Sequence, residues 1–261
     1  MDIKSNTMRA GLPVKLMIIA LMLIAGLAVS AADAEPAHAA AAQTAKPFSG
    51  KTVLVVGDSI QARHGKFLIK ASKQLGAKKV VNKSEGGAFF GKRLLTSNCV
   101  YSKVMKMSRS QVRKYDYIIL SAGTNDFGHH TNNGKVKLGK VTSKKKNTVC
   151  GAMNLMIRRI QTYSPNTKII VVTPLYRYNW GKKKDCDKIK NKWGFTLKDY
   201  RTRMAQTASA YEGVYVVSGA SLASKKEMRS KKYTTDYLHP TDKFARTLAK
   251  RCAKQLRLIL K

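Results

Sequence analysis

Four consecutive apolar residues, Val53 to Val56, run straight into Gly57-Asp58-Ser59, and no other stretch constrains the chain as strongly. Three of the four are valine, unbroken by a polar residue. That is the pattern of a strand buried on both faces, hence of a central strand in a parallel sheet. Behind it, Phe67, Leu68, Ala71 and Leu75 keep helical spacing within Ile60 to Leu75, and Gly76 offers a C-terminal stop. Asp58 and Ser59 therefore belong to a strand-to-helix turn at the carboxyl edge of a sheet, where open α/β folds bind ligands. A serine there turns its hydroxyl to the crevice and its N–H to a site where developing negative charge is stabilised. Serine is equally a preferred helix cap, and the turn alone leaves both roles open.

The same reading extends down the chain. Lys79 to Asn82, Tyr117 to Ala122, Lys168 to Thr173 and Val214 to Val217 read as further strands. Helical spacing marks Val100 to Arg113, Val149 to Tyr163, Leu197 to Tyr211 and a last helix with Phe244, Leu248, Cys252, Leu256 and Ile259 on one face. Strands alternating with helices predict an α/β fold with a central parallel sheet. Three further segments carry chemistry: Gly86-Gly87, Gly123-Thr124-Asn125-Asp126, and Asp236-Tyr237-Leu238-His239-Pro240. The last places an acid and a histidine three residues apart in one turn. The carboxylate can then hold one ring nitrogen while the other faces a nucleophile.

In this order, Gly57-Asp58-Ser59 and these three segments resemble the four sequence blocks of the SGNH hydrolases, the GDSL esterase/lipase family. The resemblance covers roughly Lys51 to Lys261 and implies a three-layer α/β/α sandwich with a parallel sheet of about five strands. It implies a serine hydrolase of carboxylic esters, with Ser59 as nucleophile, His239 as base and Asp236 as the acid that orients it. It also implies an oxyanion hole built from the N–H groups of Ser59 and Gly87 and the side chain of Asn125. Asn82 and the small Ala88 frame Gly87 as the family pattern does, with Gly86 as the alternative donor, and Asp126 is expected to brace its loop. No metal or organic cofactor is implied. Ile60 stands where the family name has leucine, a conservative change.

Composition bears on location and partners. The chain of 261 residues carries 50 Lys and Arg against 14 Asp and Glu, a net charge of +36. Such a field attracts polyanions. Met1 to Ala34 reads as a secretory leader: Lys4, Arg9 and Lys15 precede an apolar run from Leu16 to Val29, with small-x-small cleavage sites at Ala34 and Ala39. A retained anchor is the alternative, although the run is short for one. Residues 35–50 read as an alanine-rich linker, and 51–261 as the catalytic domain. Export makes an anionic cell envelope the expected polyanion, and nucleic acid is not expected.

Cys99, Cys150, Cys186 and Cys252 lack zinc or redox spacing. Their even number permits disulfides, with Cys99 and Cys150 the favoured pair because both flank loops of the active edge. His129 and His130 lack further ligands at metal-binding spacing. Gly219-Ala220-Ser221-Leu222-Ala223 mimics a nucleophile elbow without its final glycine. Tyr176 to Trp180 could stack on sugars or cover an apolar floor. The expected function is a secreted, monomeric serine esterase acting on carbohydrate or cell-wall O-acyl groups, such as acetylated polysaccharide. The alternatives are a lipase, thioesterase or acyltransferase on the same triad, and a cationic wall-binding protein with little catalysis.

Overall fold

The computed structural model describes residues 46–93, 97–128, 136–179 and 184–261. Five strands make the main sheet: β1 (Thr52–Gly57), β2 (Lys79–Asn82), β3 (Tyr117–Ser121), β4 (Lys168–Val172) and β5 (Val214–Val217). All neighbours are parallel, in the order β2-β1-β3-β4-β5. Four longer helices pack on it: α1 (Phe67–Gln74), α2 (Val149–Tyr163), α3 (Leu197–Ser209) and α4 (Asp242–Ile259).

Successive residues of a strand point to opposite faces, so an unbroken apolar run must serve two cores. Leu54, Val56, Ile118, Leu120, Ile169 and Val171 face one core, with Met153, Met156 and Ile157 of α2 and Tyr200 and Met204 of α3. Val53, Val55, Ile119, Ile170 and Val172 face the other, with Phe67, Leu68 and Ala71 of α1 and Phe244, Leu248 and Cys252 of α4. The result is the three-layer α/β/α sandwich expected from the sequence.

Local departures have physical causes. The helix expected over Ile60 to Leu75 is two pieces, Ser59–Ala62 and α1, because Gly65 and Lys66 both adopt the left-handed region, at φ +80° and +48°. A Cβ on Gly65 would sit 2.3 Å from Cβ of Ala245, so the close approach of α4 requires glycine there. The helix expected over Val100 to Arg113 likewise divides into Val100–Met105 and Arg109–Val112, and Ser108 and Gln111 form a capping box for the second. The segment after β4 forms a short antiparallel ribbon, Tyr178–Asn179 with Lys184–Asp185. Packing starts ahead of Lys51: Phe48 is fully buried, its ring centroid 4.4 Å from that of Tyr117.

The expected Cys99–Cys150 bridge is not formed, and all four cysteines are free and buried. Cys99 caps the helix at Val100: its sulfur accepts from Ser102 N–H at 3.4 Å, and its thiol reaches Ser102 Oγ at 3.1 Å. Cys150 instead packs in the first turn of α2, bonded to Thr207, and burial pushes its thiol above the usual range. Both thiols serve the core on their own. The leader and most of the linker, His129 and His130, and Trp180 lie outside the described residues. Among the described residues no helix is long and apolar enough to cross a membrane.

Candidate active site

The chain leaves β1 toward β2 on one side and returns to β3 on the other. The carboxyl ends of β1 and β3 are therefore the topological switch point at which such sheets open a crevice. Gly57 ends β1 and Asp58-Ser59 follows it, and Gly123-Thr124-Asn125-Asp126 follows β3.

Asp58, and not Ser59, caps the helical turn that follows: its Oδ1 accepts the N–H of Ile60 at 3.0 Å. The serine hydroxyl is thereby released from capping. It lies 2.8 Å from Nε2 of His239, which comes from a segment 180 positions away. Asp236 Oδ2 is 2.6 Å from Nδ1 of the same ring. A carboxylate that accepts the Nδ1 proton leaves Nε2 with its lone pair toward the serine O–H.

The turn that carries this pair is held by the same carboxylate. Asp236 Oδ1 accepts the N–H groups of Leu238 at 3.2 Å and His239 at 2.7 Å. Tyr237 between them adopts a left-handed φ of +64°, rare for a bulky residue, and its N–H donates to Thr234 Oγ1. Partial burial works against ionisation of Asp236. The backbone N–H of His239, its ring and the N–H of Leu238 outweigh that, and the carboxyl lies below the usual range.

Gly86 and Gly87 sit inside a turn closed by Ala88 N–H to Glu85 O at 3.2 Å. Gly87 takes φ +71°, the third-residue conformation of a type II turn, with open space where a Cβ would stand. Asn125 is buried, and its Nδ2 donates to Ala88 O at 2.9 Å, tying the β3 loop to the glycine turn. Asn82 joins the glycine segment to the serine turn, its Nδ2 donating to Gln61 O at 2.9 Å. Asp126 accepts from the N–H groups of Phe90 at 2.7 Å and Gly91 at 3.1 Å, the bracing role expected of it.

Two buried carboxyls bear on the site's electrostatics. Burial is the largest cause that pushes Asp58 up to about 7, against the Ile60 N–H and with the help of Asp126. Burial likewise pushes Asp126 to about 6, against the N–H groups of Phe90 and Gly91.

Sequence reasoning overlooked two residues here. His64 lies with its ring centroid 4.0 Å from that of His239. Arg177, from the loop after β4, donates to Thr124 O at 3.0 Å and feels both Asp236 and Asp58. An isolated histidine and an arginine in a basic chain carry no local signal; only the fold brings them in. The elbow-like stretch at Ser221 lies on a short helical turn, Gly219–Leu222, outside this constellation. No group of three His, Cys, Asp or Glu that could hold a metal occurs among the described residues.

Comparison with known proteins places the chain in a family and a fold. A model of the GDSL-like lipase/acylhydrolase family matches residues 55–246. No curated protein matches. Among solved structures, a protein from Lactobacillus plantarum is similar at 19% identity and a TM-score of 0.62, over 80% of this chain and 97% of that one. A possible lipase from Chitinophaga pinensis DSM 2588 is similar at 20% identity and a TM-score of 0.59, over 80% of this chain and 98% of that one. These likenesses show the fold.

Proposed function

This chain belongs to the GDSL-like lipase/acylhydrolase family, whose chemistry is ester hydrolysis or acyl transfer, and we propose that it is a secreted serine esterase acting on O-acyl groups of carbohydrate or cell-wall polymers. The observation that carries the catalytic reading is the pair of contacts at His239: Ser59 Oγ at 2.8 Å on one nitrogen and Asp236 Oδ2 at 2.6 Å on the other.

In this reading Ser59 Oγ attacks the ester carbonyl carbon while its proton passes to Nε2 of His239. Asp236 holds the ring's orientation and stabilises the imidazolium. The tetrahedral oxyanion is received by the N–H of Ser59, the N–H of Gly87 and the Asn125 amide. Collapse breaks the bond to the alcohol, which leaves with the proton from His239, and an acyl-Ser59 ester remains. Water then attacks that ester, giving its proton to His239, and the acid departs with Ser59 restored. Every proton in this cycle passes through His239, so the chain's own groups suffice.

The polymer half of the reading is supported by charge and by surface. The net charge of +36 favours an anionic envelope as partner. Leu258 is the only large hydrophobic residue exposed among the described residues, and it lies near the C-terminal end of α4, whereas His239 precedes the start of that helix. Among the described residues the site is thus not ringed by the apolar surface that a lipid-water interface would engage.

The test is an acyl-ester series of increasing chain length, run beside O-acetylated polysaccharides, with Ser59→Ala as the blank. Acetate release should lead, and Ser59→Ala should lose about 10⁴-fold or more in kcat. Preference for long acyl chains would replace the polymer reading with a lipase. Undiminished turnover in folded Ser59→Ala would remove the serine mechanism.

A further inference from the structure

A cavity of about 810 Å³ opens between the segment 137–148 and the start of α3. Its charged lining is entirely cationic: Lys137, Lys140, Lys144, Lys145 and Arg203, around Phe195. None of the five forms an ion pair among the described residues. Uncompensated lysine is common in a chain with so few acids. Two properties set this group apart, its frame and its place.

The frame is rigid where a lysine-rich loop would ordinarily be loose. Buried Asn154 of α2 donates through Nδ2 to Val141 O and Ser143 O, both at 2.8 Å. Thr148 donates to Lys145 O at 2.9 Å and accepts from Gly151 N–H at 3.0 Å. Ser143 Oγ accepts from Lys145 N–H at 3.2 Å. On the opposite wall, Arg203 donates to Gly139 O at 3.0 Å, and its guanidinium lies 4.6 Å from the Phe195 ring centroid. The frame fixes the backbone that carries these exposed lysines around one concavity, and cations gathered in a concave wall concentrate an oxyanion more strongly than the same charges on a flat face.

The place is a segment tied to the active edge through the backbone at Gly91 and Lys92. Lys92 N–H donates to Lys146 O at 2.8 Å, and a Cβ on Gly91 would stand 3.3 Å from the Thr148 backbone. Gly91 N–H in turn donates to Asp126, next in sequence to Asn125. The lysine loop is thus built onto the same short segment that braces the active-edge turn.

We propose that this cavity is a subsite for a polyanionic polymer, holding a phosphate or carboxylate of the chain whose ester is presented to Ser59. That the anion belongs to the substrate rests on the esterase reading above. The concave shape and the scarcity of exposed large hydrophobics among the described residues favour a soluble polymer over a lipid surface.

The probe is fluorescently labelled inorganic polyphosphate, bound to the full chain carrying Ser59→Ala, so that loss of catalysis cannot mimic loss of binding. The cavity variant is Lys140→Gln, Lys144→Gln and Lys145→Gln together. The control removes the same charge from the other helical layer: Lys73→Gln, Lys250→Gln and Lys254→Gln, all exposed. Circular dichroism and Tm verify folding of both. The cavity variant should bind about tenfold or more weakly, with a shallower salt dependence, while the control changes less than about threefold. Equal losses would mean a diffuse field and overturn the subsite. A selective loss on phosphatidylglycerol vesicles, with polyphosphate binding intact, would overturn it in favour of lipid. In the active enzyme, polyphosphate should raise KM for an acetylated anionic polysaccharide and spare a neutral aryl ester. Inhibition of both, or of neither, would detach the cavity from the substrate. Failure of ester hydrolysis altogether would leave the binding comparison standing and remove only the esterase reading.

Discussion

The imidazole of His64 lies against that of His239, ring centroids 4.0 Å apart and tilted by 36°. Burial lowers the pKa of His64 first, and the neighbouring His239 lowers it further, against the pull of Asp236. A histidine with a depressed folded pKa stabilises the fold fully above its unfolded value of about 6.5. That contribution is lost as pH falls through the folded pKa. In an NMR titration His64 should therefore titrate below 6.5, and His239→Ala should raise its midpoint by removing both the cover and the charge. A midpoint unmoved by His239→Ala would mean the rings do not sense each other.

Asn125 holds the glycine turn through Ala88 O and has a second amide N–H to offer. Asn125→Ala should cost about 10²–10³ in kcat on an aryl ester, with a much smaller change in KM. A loss carried mainly by KM would make Asn125 a substrate contact.

Asp58 is buried at 3% exposure and pushed to about 7. With a folded pKa above the unfolded one, its favourable contribution is present below about 3.8 and lost as pH rises through about 7. Asn at this position can still accept the Ile60 N–H. Asp58→Asn should therefore stabilise the protein more at pH 8 than at pH 5, by roughly 2–3 kcal/mol in chemical unfolding. Equal gains at both pH values would show that the carboxyl is not desolvated.

Glu227 and Arg251 form a two-pronged ion pair, at 2.8 Å and 2.9 Å, between α4 and the short helix before the Asp236 turn. The Arg251 hydrogen bonds are the largest cause that lowers Glu227 to about 2. A depressed carboxyl stabilises above its unfolded value, near 4.5, and the contribution fades as pH falls toward 2. Arg251 is 40% exposed, so solvent screening limits the pair to about 1 kcal/mol. Arg251→Met should remove about that much at pH 7 and flatten acid unfolding between about pH 4.5 and 2. An unchanged acid limb would mean Glu227 is held by Ser224 alone.

The sheet was legible because a both-face-buried strand announces itself in four residues, as Val53–Val56 does. The glycine, asparagine and histidine segments were legible because their residue types are local. What escaped was decided at a distance. The break at Gly65 and Lys66 is imposed by Ala245, and the His64 contact by the far end of the chain. An even cysteine count suggested a bridge, yet Cys99 and Cys150 each find their own partners in the core. Asn154, which clamps the lysine-rich segment 137–148, belongs to the following helix, so nothing within the segment itself announces its frame.

The contact between Ser59 and His239 spans 180 positions. It has a consequence for the protein's birth. The strand and turn that carry the serine are made early, whereas the histidine is added 180 residues later, and α4, which packs beside Gly65, follows it. Contacts so far apart in sequence form late in folding. A nascent chain that has not yet reached His239 therefore holds the Ser59 hydroxyl without its histidine partner. On the esterase reading, hydrolytic competence arrives only once the His239 turn has docked, and activity becomes a direct readout of finished folding.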